Sequence, residues 1–402
     1  MRSAPPVAVL GGITVLVAVL LTWNALRPIE IAPVQVITSS FSEGTPPDLP
    51  WPDQGQAAVG AAVDGQGSGV LAASPNSTSQ PTGSVAKVMT ALVVLEQRPL
   101  QVGEQGPLIR VTEQDVDDYH QMLAQGQSVV RVVAGEVLSE YQALQGLLLP
   151  SANNLALMLA RWASGSLQQQ LDRMNAEARR LGMTQTTFAD ASGFSPQTRS
   201  TPSDLIRLGE AAMQNPVIAQ IVAQPRAVLP VVGVVSNVNA VLGQDGIVGI
   251  KTGNTPEAGG CYLFAATDRL DDGREILLFG AVQGMETLRD AFVAAEALLE
   301  VMRLTLEIRH IVHHYQVVGH YQTPWGASTD VIVTRDVDLA LWPGATVNVS
   351  LQARPVAPPV PRGTRVGSLH LTVGGSSYDV PVVTVRELPG PGLLDRLVRT
   401  SW

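Results

Sequence analysis

The chain is poor in cysteine and in aromatic residues, and each shortage excludes a class of protein. With Cys261 as the one cysteine among 402 residues, no intramolecular disulfide can form. Cys261 stands in the apolar run 261–266, so we expect a buried, unreactive thiol. Aromatic residues make up only 4% of the chain, which argues against stacking platforms for nucleic acid bases. The net charge of −9, with scattered arginines, also argues against a nucleic acid partner.

Lysine is nearly absent: two of the 26 basic residues are lysines, and the other 24 are arginines. Arginine keeps its proton in proteins, whereas lysine can lose its charge through burial or beside a second cation. Lys87 and Lys251 therefore stand where arginine would not serve, and both are candidate functional residues.

The stretch 82–95 reads TGSVAKVMTALVVL, with apolar residues at helical spacing after a Pro-x-Gly break. The pattern predicts a helix that begins at or next to Ser84. Residues three apart share a helix face, so the Ser84 hydroxyl and the Lys87 amine can meet. A neutral Lys87 would act as general base, and free N–H groups at the helix start would stabilise an oxyanion. The competing interpretation, an N-cap serine beside a solvated lysine, is disfavoured because the helix is otherwise apolar.

Two further polar motifs stand at predicted element boundaries. Ser151 and Asn153 lie at the entrance of a predicted helix, where such residues usually act as caps. Residues 246–253 predict a strand whose edge presents Lys251 and Thr252, and Gly253 would let a ligand backbone approach closely.

The length predicts two or three folded units joined by linkers. Successive strands with short turns, alternating with helical patterns, predict an antiparallel sheet flanked by helices. Period-two alternation over residues 306–388 predicts a small β-sandwich-like domain. The expected strands are 57–63, 69–73, 108–111, 129–133, 261–267 and 275–282, and the expected helices are 139–149, 166–181, 202–214 and 285–304.

Both ends of the chain suggest a membrane. Residues 7–23 form an uncharged apolar run between Arg2 and Arg27, just long enough to span a bilayer. We expect residues 1–26 to be a retained anchor with the rest of the chain outside the cytoplasm; a cleaved signal peptide is the alternative. Residues 27–55, with six prolines, predict a linker, and the amphipathic tail 389–402 suits a membrane surface.

Three motifs, separated by 67 and 100 residues, together resemble those of the penicillin-recognising serine enzymes. Over roughly residues 56–305 the chain looks most like the low-molecular-mass D-alanyl-D-alanine carboxypeptidases. The resemblance implies an α+β catalytic domain of the β-lactamase/transpeptidase type at 56–305, followed by a small all-β C-terminal domain at 306–388. The motifs are Ser84-x-x-Lys87, Ser151-x-Asn153 and Lys251-Thr252-Gly253.

The resemblance implies three catalytic residues. Ser84 would attack the carbonyl of the terminal D-Ala-D-Ala bond of a peptidoglycan stem peptide and form an acyl-enzyme, which water releases. Lys87 would accept the serine proton. Ser151 would relay a proton to the departing D-alanine, because a hydroxyl both donates and accepts.

The resemblance also implies a set of substrate-binding residues, with no metal or cofactor. Asn153 would hold the donor peptide through its amide. Lys251 and Thr252, next to Gly253, would bind the terminal carboxylate of the substrate or of an inhibitory β-lactam. The oxyanion would lie between the backbone N–H groups of Ser84 and Asn254.

Departures from the family pattern leave the substrate preference open. Ala152 and Asn154 stand where the family often has glycine and an acid, and Asn254 replaces the more usual threonine or phenylalanine. A DD-endopeptidase or transpeptidase would share the acyl-enzyme and differ only in the acceptor. A β-lactamase would need a deacylating base, and no Glu-x-x-Leu-Asn segment lies between Ser151 and Lys251. A non-catalytic peptidoglycan- or β-lactam-binding module would have no need of the base.

Overall fold

The computed structural model describes residues 16–23, 32, 34–36, 39–42, 44–63, 66–75, 77–269, 273–373 and 376–398. Residues 16–23 are helical. The other helices are Lys87–Gln97, Glu113–Ala124, Glu140–Leu148, Asn153–Ser164, Leu167–Arg180, Pro202–Gln214, Pro216–Val222, Leu288–Thr305 and Leu393–Val398, with short 3-10 turns at Gly83–Ala86 and Gln244–Gly246.

A five-stranded antiparallel sheet organises the larger part of the chain. Its order is Ile247–Thr255, Gly259–Arg269, Glu275–Met285, Gln56–Val63 and Gln66–Ala73. Gln56–Val63 is buried at every position, because helices cover both faces of the sheet. Leu288–Thr305 packs on one face and Pro202–Gln214 on the other. The predicted antiparallel sheet with flanking helices is confirmed, and Ile247–Thr255 lies at its edge.

Most of the predicted helices and strands are present, and their ends follow local chemistry. Ser139 caps Glu140–Leu148, Thr201 caps Pro202–Gln214, and Thr287 caps Leu288–Thr305. Three short antiparallel strand pairs complete this part of the chain: Gln80–Pro81 with Arg199–Ser200, Leu108–Arg110 with Val137–Ser139, and the hairpin Arg226–Leu229 with Gly233–Ser236.

The predicted strand at 129–133 is wrong. The peptide groups of Val130 bond to the side-chain amide of Asn154 instead of to a neighbouring strand: Val130 N donates to Oδ1 at 3.0 Å, and Nδ2 donates to Val130 O at 2.8 Å. A buried side-chain amide thus replaces a strand partner for this loop.

The helix Glu113–Ala124 was not expected, because its sequence is too polar to show an apolar stripe. Its buried residues are Asp115 and Asp118, and both carboxylates bind Arg161 at 2.6 Å. Thr112 and Asp115 form a capping box at its start. Ion pairs and a cap hold this helix in place, together with Val116 and Tyr119, which pack against the core.

The C-terminal part is all-β, as the resemblance implied. Its seven-stranded sheet has the order Val34–Val36, Val317–Gln322, Ser328–Val333, Ser376–Thr384, Arg365–Val373, Val347–Ala353 and Ser39–Phe41. The strands Glu307–Val312 and Val337–Leu341 form a separate pair, which packs against the five-stranded sheet. At this contact, Trp342 Nε1 donates a hydrogen bond to Thr305 Oγ1 at 2.8 Å.

Part of the stretch 27–55 differs from the expected linker. Val34–Val36 pairs with Val317–Gln322 at one edge of the C-terminal sheet, and Ser39–Phe41 pairs with Val347–Ala353 at the other. These two short segments supply backbone hydrogen bonds to the edge strands of the sheet, and this pairing gives them strand structure despite the nearby prolines.

The predicted membrane segments are only partly covered. Residues 7–15 of the expected anchor and residues 399–402 of the tail lie outside the described residues. Residues 16–23 are exposed and helical, and the tail forms Leu393–Val398. Within the described ranges, no helix combines the length and hydropathy needed to cross a bilayer.

Candidate active site

Ser84 and Lys87 meet at the start of the central helix. Ser84 lies in the 3-10 turn Gly83–Ala86, which leads directly into Lys87–Gln97. Lys87 Nζ donates to Ser84 Oγ at 2.7 Å and to the carbonyl of Ser192 at 3.0 Å. The three-residue spacing therefore brings the two side chains into direct contact.

The environment of Lys87 favours the neutral amine. The side chain is fully buried, and burial is the largest cause that holds its pKa well below the ordinary value. The positive charge of Lys251 lowers this pKa further, while the charge of Asp190 opposes the shift. A neutral amine in contact with a serine hydroxyl is equipped to accept its proton.

Lys251 and Thr252 are buried on the edge strand Ile247–Thr255. Burial lowers the pKa of Lys251 to about 7, and its Nζ donates to the carbonyl of Thr252 at 3.1 Å. A buried cation with little protein compensation is a suitable partner for an anionic ligand group.

Gly253 allows a close approach, but the approaching group belongs to the protein itself. A Cβ at this position would lie 2.6 Å from the carbonyl oxygen of Thr82 and 3.0 Å from the nitrogen of Ser84. The glycine lets the edge strand lie against the turn that carries Ser84, and the approach of a ligand backbone to Gly253 stays a prediction.

Ser151 and Asn153 do not act as helix caps. The N-cap of Asn153–Ser164 is Ala152, which has no side-chain cap. Ser151 is buried with φ of +66°, a backbone conformation that costs a non-glycine residue about 1 kcal/mol or more. Among the described residues, Ser151 Oγ has no hydrogen-bond partner, so it does not reach Ser84 or Lys87 directly.

Asn153 belongs to a cleft beside Ser84. Its Nδ2 donates to Gln127 Oε1 at 2.6 Å, and its backbone N–H donates to the carbonyl of Ser128 at 2.8 Å. The cleft has a volume of about 260 Å³. It is lined by Ser84, Gln125, Gly126, Gln127, Ser128, Asn153, Phe194, Asn254, Thr255, Pro256 and Glu257.

The turn at residues 190–198, which lies outside the three motifs, orients Lys87. The carboxylate of Asp190 accepts hydrogen bonds from Ser192 Oγ at 2.6 Å, from Phe194 N at 3.0 Å and from Thr198 Oγ1 at 2.6 Å. These bonds fix the turn whose Ser192 carbonyl binds Lys87. The sequence signal for this turn is the general resemblance over residues 56–305, because none of the three motifs includes it.

Gly193 lies in the same turn, next to the nucleophile. Its φ is +76°, and a Cβ there would lie 1.8 Å from the carbonyl oxygen of Gly83. Glycine is therefore required by both backbone conformation and space.

Cys261 is fully buried, and burial raises the pKa of its thiol to about 11, which confirms the predicted inert role. In the part of the chain that the structure describes, no three side chains of His, Cys, Asp or Glu are arranged to hold a metal ion.

Comparison with known proteins agrees with the geometry. A family model described as D-alanyl-D-alanine carboxypeptidase matches residues 49–277. The chain is 33% identical over 230 residues to a D-alanyl-D-alanine carboxypeptidase of Streptomyces sp. strain K15, covering 52% of this chain and 77% of that one. It is 32% identical over 225 residues to one from Mycobacterium tuberculosis, covering 54% and 72% of the two chains.

Penicillin binding protein 5 from Haemophilus influenzae has the same fold. The two structures superpose with a TM-score of 0.67 over 86% of this chain and 99% of that chain, at 18% identity. This likeness confirms the α+β catalytic fold with its all-β C-terminal part. By the family match and these relatives, the chain belongs to the D-alanyl-D-alanine carboxypeptidase family of serine peptidases.

Proposed function

We propose that this D-Ala-D-Ala carboxypeptidase works through an acyl-enzyme on Ser84, with Lys87 as the general base. The observation that carries the proposal is the 2.7 Å contact between Lys87 Nζ and Ser84 Oγ, at an amine whose pKa is lowered. Lys87 takes the hydroxyl proton while Ser84 Oγ forms a bond to the penultimate D-alanine carbonyl carbon.

Collapse of the tetrahedral intermediate breaks the C–N bond, and the leaving nitrogen needs a proton. Ser151 relays to it the proton that Lys87 took from Ser84, which leaves Lys87 neutral again. Its Oγ, buried and without a partner among the described residues, supports this role because it is left available to a bound substrate. In deacylation, Lys87 takes a proton from water as its oxygen bonds to the acyl carbon, and returns the proton to Ser84 Oγ as the ester bond to Ser84 breaks.

The substrate is bound on both sides of Ser84, by its terminal carboxylate on one side and by its acyl part on the other. Lys251 and Thr252 hold the terminal carboxylate, and Asn153 holds the acyl part of the peptide. The backbone N–H groups of Ser84 and Asn254 bind the oxyanion, with Gly253 keeping the strand close to Ser84. Family membership supports peptidoglycan stem peptides as substrates and β-lactams as inhibitors of the same serine.

The domain boundaries and the location are part of this proposal. We assign residues 56–305 to catalysis and 306–388 to the C-terminal β domain, with activity on the outer side of the membrane. The apolar run 7–23 supports a retained anchor, with the tail 389–402 as a second membrane contact.

Intact mass of the full-length chain in detergent after exposure to benzylpenicillin tests the mechanism, with Ser84→Ala as control. We expect one lasting adduct on the wild type, none on the variant, and release of D-alanine from a peptide ending in D-Ala-D-Ala. Penicillin consumed without a lasting adduct would favour a β-lactamase. No adduct and no consumption would contradict the acyl-enzyme and favour a binding module.

The assay with the D-Ala-D-Ala peptide also identifies the acceptor of the acyl group. A D-amino acid added as a competing amine yields a new peptide if the acyl group is transferred to amines. Free D-alanine and shortened peptide without that product are expected for the carboxypeptidase.

A further inference from the structure

Charge is distributed very unevenly in the cleft beside Ser84. Ten of its eleven lining residues carry no formal charge, and the exception is Glu257. Glu257 is exposed and makes no hydrogen bond or ion pair within the described part of the chain. The buried ammonium of Lys251 lies on the same strand-and-turn segment, so cation and anion occupy the two ends of residues 251–257.

The order along this segment sets the direction of a bound peptide. Lys251 and Thr252 come first, Gly253 lies against the turn of Ser84, and the cleft-lining residues 254–257 follow. A peptide with its carboxylate at Lys251 and its scissile carbonyl at Ser84 must therefore extend its N-terminal part along residues 254–257. The edge strand offers unpaired backbone groups for such an extended peptide.

The side chain that reaches Glu257 belongs to the residue before the D-Ala-D-Ala pair. Extended residues rise about 3.3 Å each, so this third residue lies beyond Ser84, alongside the end of the strand. The carboxylate of Glu257 stands in the turn directly after Thr255, where the strand ends. The exposed ring of Phe194 lines the same cleft and offers an apolar surface to the methylene stem of such a side chain.

We propose that Glu257 is a specificity residue that selects stem peptides whose residue before D-Ala-D-Ala carries a free side-chain ammonium group. The inference rests on the proposed function, because it uses the carboxylate site at Lys251 and the nucleophile Ser84 to orient the peptide. The cleft is then complementary to a zwitterionic peptide end: its carboxylate meets Lys251, and its ammonium meets Glu257.

Two peptides that differ by one acetyl group test the proposal. Both carry an Nα-acetyl-lysine before D-Ala-D-Ala, and one has its side-chain amine acetylated. Because Glu257 is exposed, we expect the full-length wild type to favour the free-amine peptide in kcat/KM by about two- to five-fold at low salt. The preference should shrink as the ionic strength rises.

Glu257→Gln should abolish the preference, and Glu257→Lys should reverse it. Glu300→Gln is the matched control: it removes one exposed carboxylate on the helix Leu288–Thr305, outside the cleft lining, and should keep the wild-type ratio. Equal kcat/KM values in the wild type, or a preference that survives in Glu257→Gln, would overturn the specificity role. In those cases D-alanine release and the penicillin adduct still support the proposed function, whereas loss of both would contradict that function itself.

Discussion

Lys87 and Lys251 are both buried, and the pKa of Lys87 is well below its ordinary value. Burial is the larger cause of this shift, and the positive charge of Lys251 is the second. These are the two lysines of the chain, which has 24 arginines. The two lysines have different roles in one site: Lys87 is the neutral amine in contact with Ser84, and Lys251 is the cation that binds a carboxylate. Arginine could not take the first of these roles because it does not lose its proton.

The pH dependence of acylation by benzylpenicillin should report this coupling. Acylation needs neutral Lys87, so the rate falls as the pH drops through the pKa of Lys87. In Lys251→Met a cation is lost, the pKa of Lys87 rises, and the acid limb should move to higher pH. In Asp190→Asn an anion is lost and the limb should move to lower pH. Acid limbs that coincide in all three proteins would contradict the role of Lys87.

Gly193→Ala should disable the nucleophile through a clash. The new Cβ would lie 1.8 Å from the carbonyl oxygen of Gly83, so the turn of Ser84 must shift, and we expect acylation to fall by about 100-fold or more. Gly182→Ala is the control, because Gly182 has a similar φ of +72° but its Cβ would be 3.9 Å from Arg207. Both variants should lose about 1 kcal/mol from backbone strain. Similar acylation rates in the two would show that the clash is relieved elsewhere.

Asn154→Ala should loosen the cleft wall. Its amide makes two hydrogen bonds to Val130, next to the cleft-lining loop 125–128. Loss of a buried, doubly bonded amide should lower the free energy of unfolding by about 2–3 kcal/mol and raise KM for the peptide.

Asn175→Ala is the control for that variant. Asn175 binds the backbone N–H and carbonyl of Phe188 in the same way, at 2.9 and 2.8 Å, outside the cleft lining. Chemical denaturation should give a comparable loss of stability, while KM should change only in Asn154→Ala. A KM that rises equally in both variants would point to general destabilisation.

The sequence predicted the parts of the site that depend on local spacing. The three-residue separation of Ser84 and Lys87 on a helix is enough to bring them together, and the pattern around Lys251 predicts the strand Ile247–Thr255. The lone cysteine was placed correctly for the same reason, because its apolar neighbours on the strand predict a buried side chain.

Contacts between distant segments could not be predicted in this way. The Ser192 carbonyl reaches Lys87 across 105 residues, and Asn154 replaces a strand partner for Val130 across 24. A side-chain amide bonded to a loop leaves no periodic pattern in either segment. Nor could spacing reveal that Gly253 lies against the turn of Ser84, because a close approach by another part of the protein and one by a ligand both require a residue without a side chain.

The described residues between 32 and 42 form strands in a stretch whose prolines predict a linker. Val34–Val36 and Ser39–Phe41 cover the two opposite edges of the C-terminal sheet, and Ala32 pairs with Val356. A chain that begins at residue 45 would lose these backbone hydrogen bonds and expose both edges, whereas a chain that begins at residue 32 keeps them. We expect the shorter chain to lose about 2–5 kcal/mol of stability in its C-terminal domain and to aggregate more readily.

Hydrogen exchange separates this effect from damage to the catalytic domain. In the shorter chain, amides of Val317–Gln322 and Val347–Ala353 should exchange faster, because these strands lose their outer partners. Acylation of Ser84 by benzylpenicillin should proceed at the same rate in both chains, since the catalytic sheet has its own core. Equal exchange of these strands in the two chains would mean that residues 32–44 contribute no stability and serve as a linker after all. Faster exchange in the shorter chain would instead show that residues 32–44 are part of the C-terminal domain. The proposed membrane anchor that precedes these residues would then hold this domain close to the membrane.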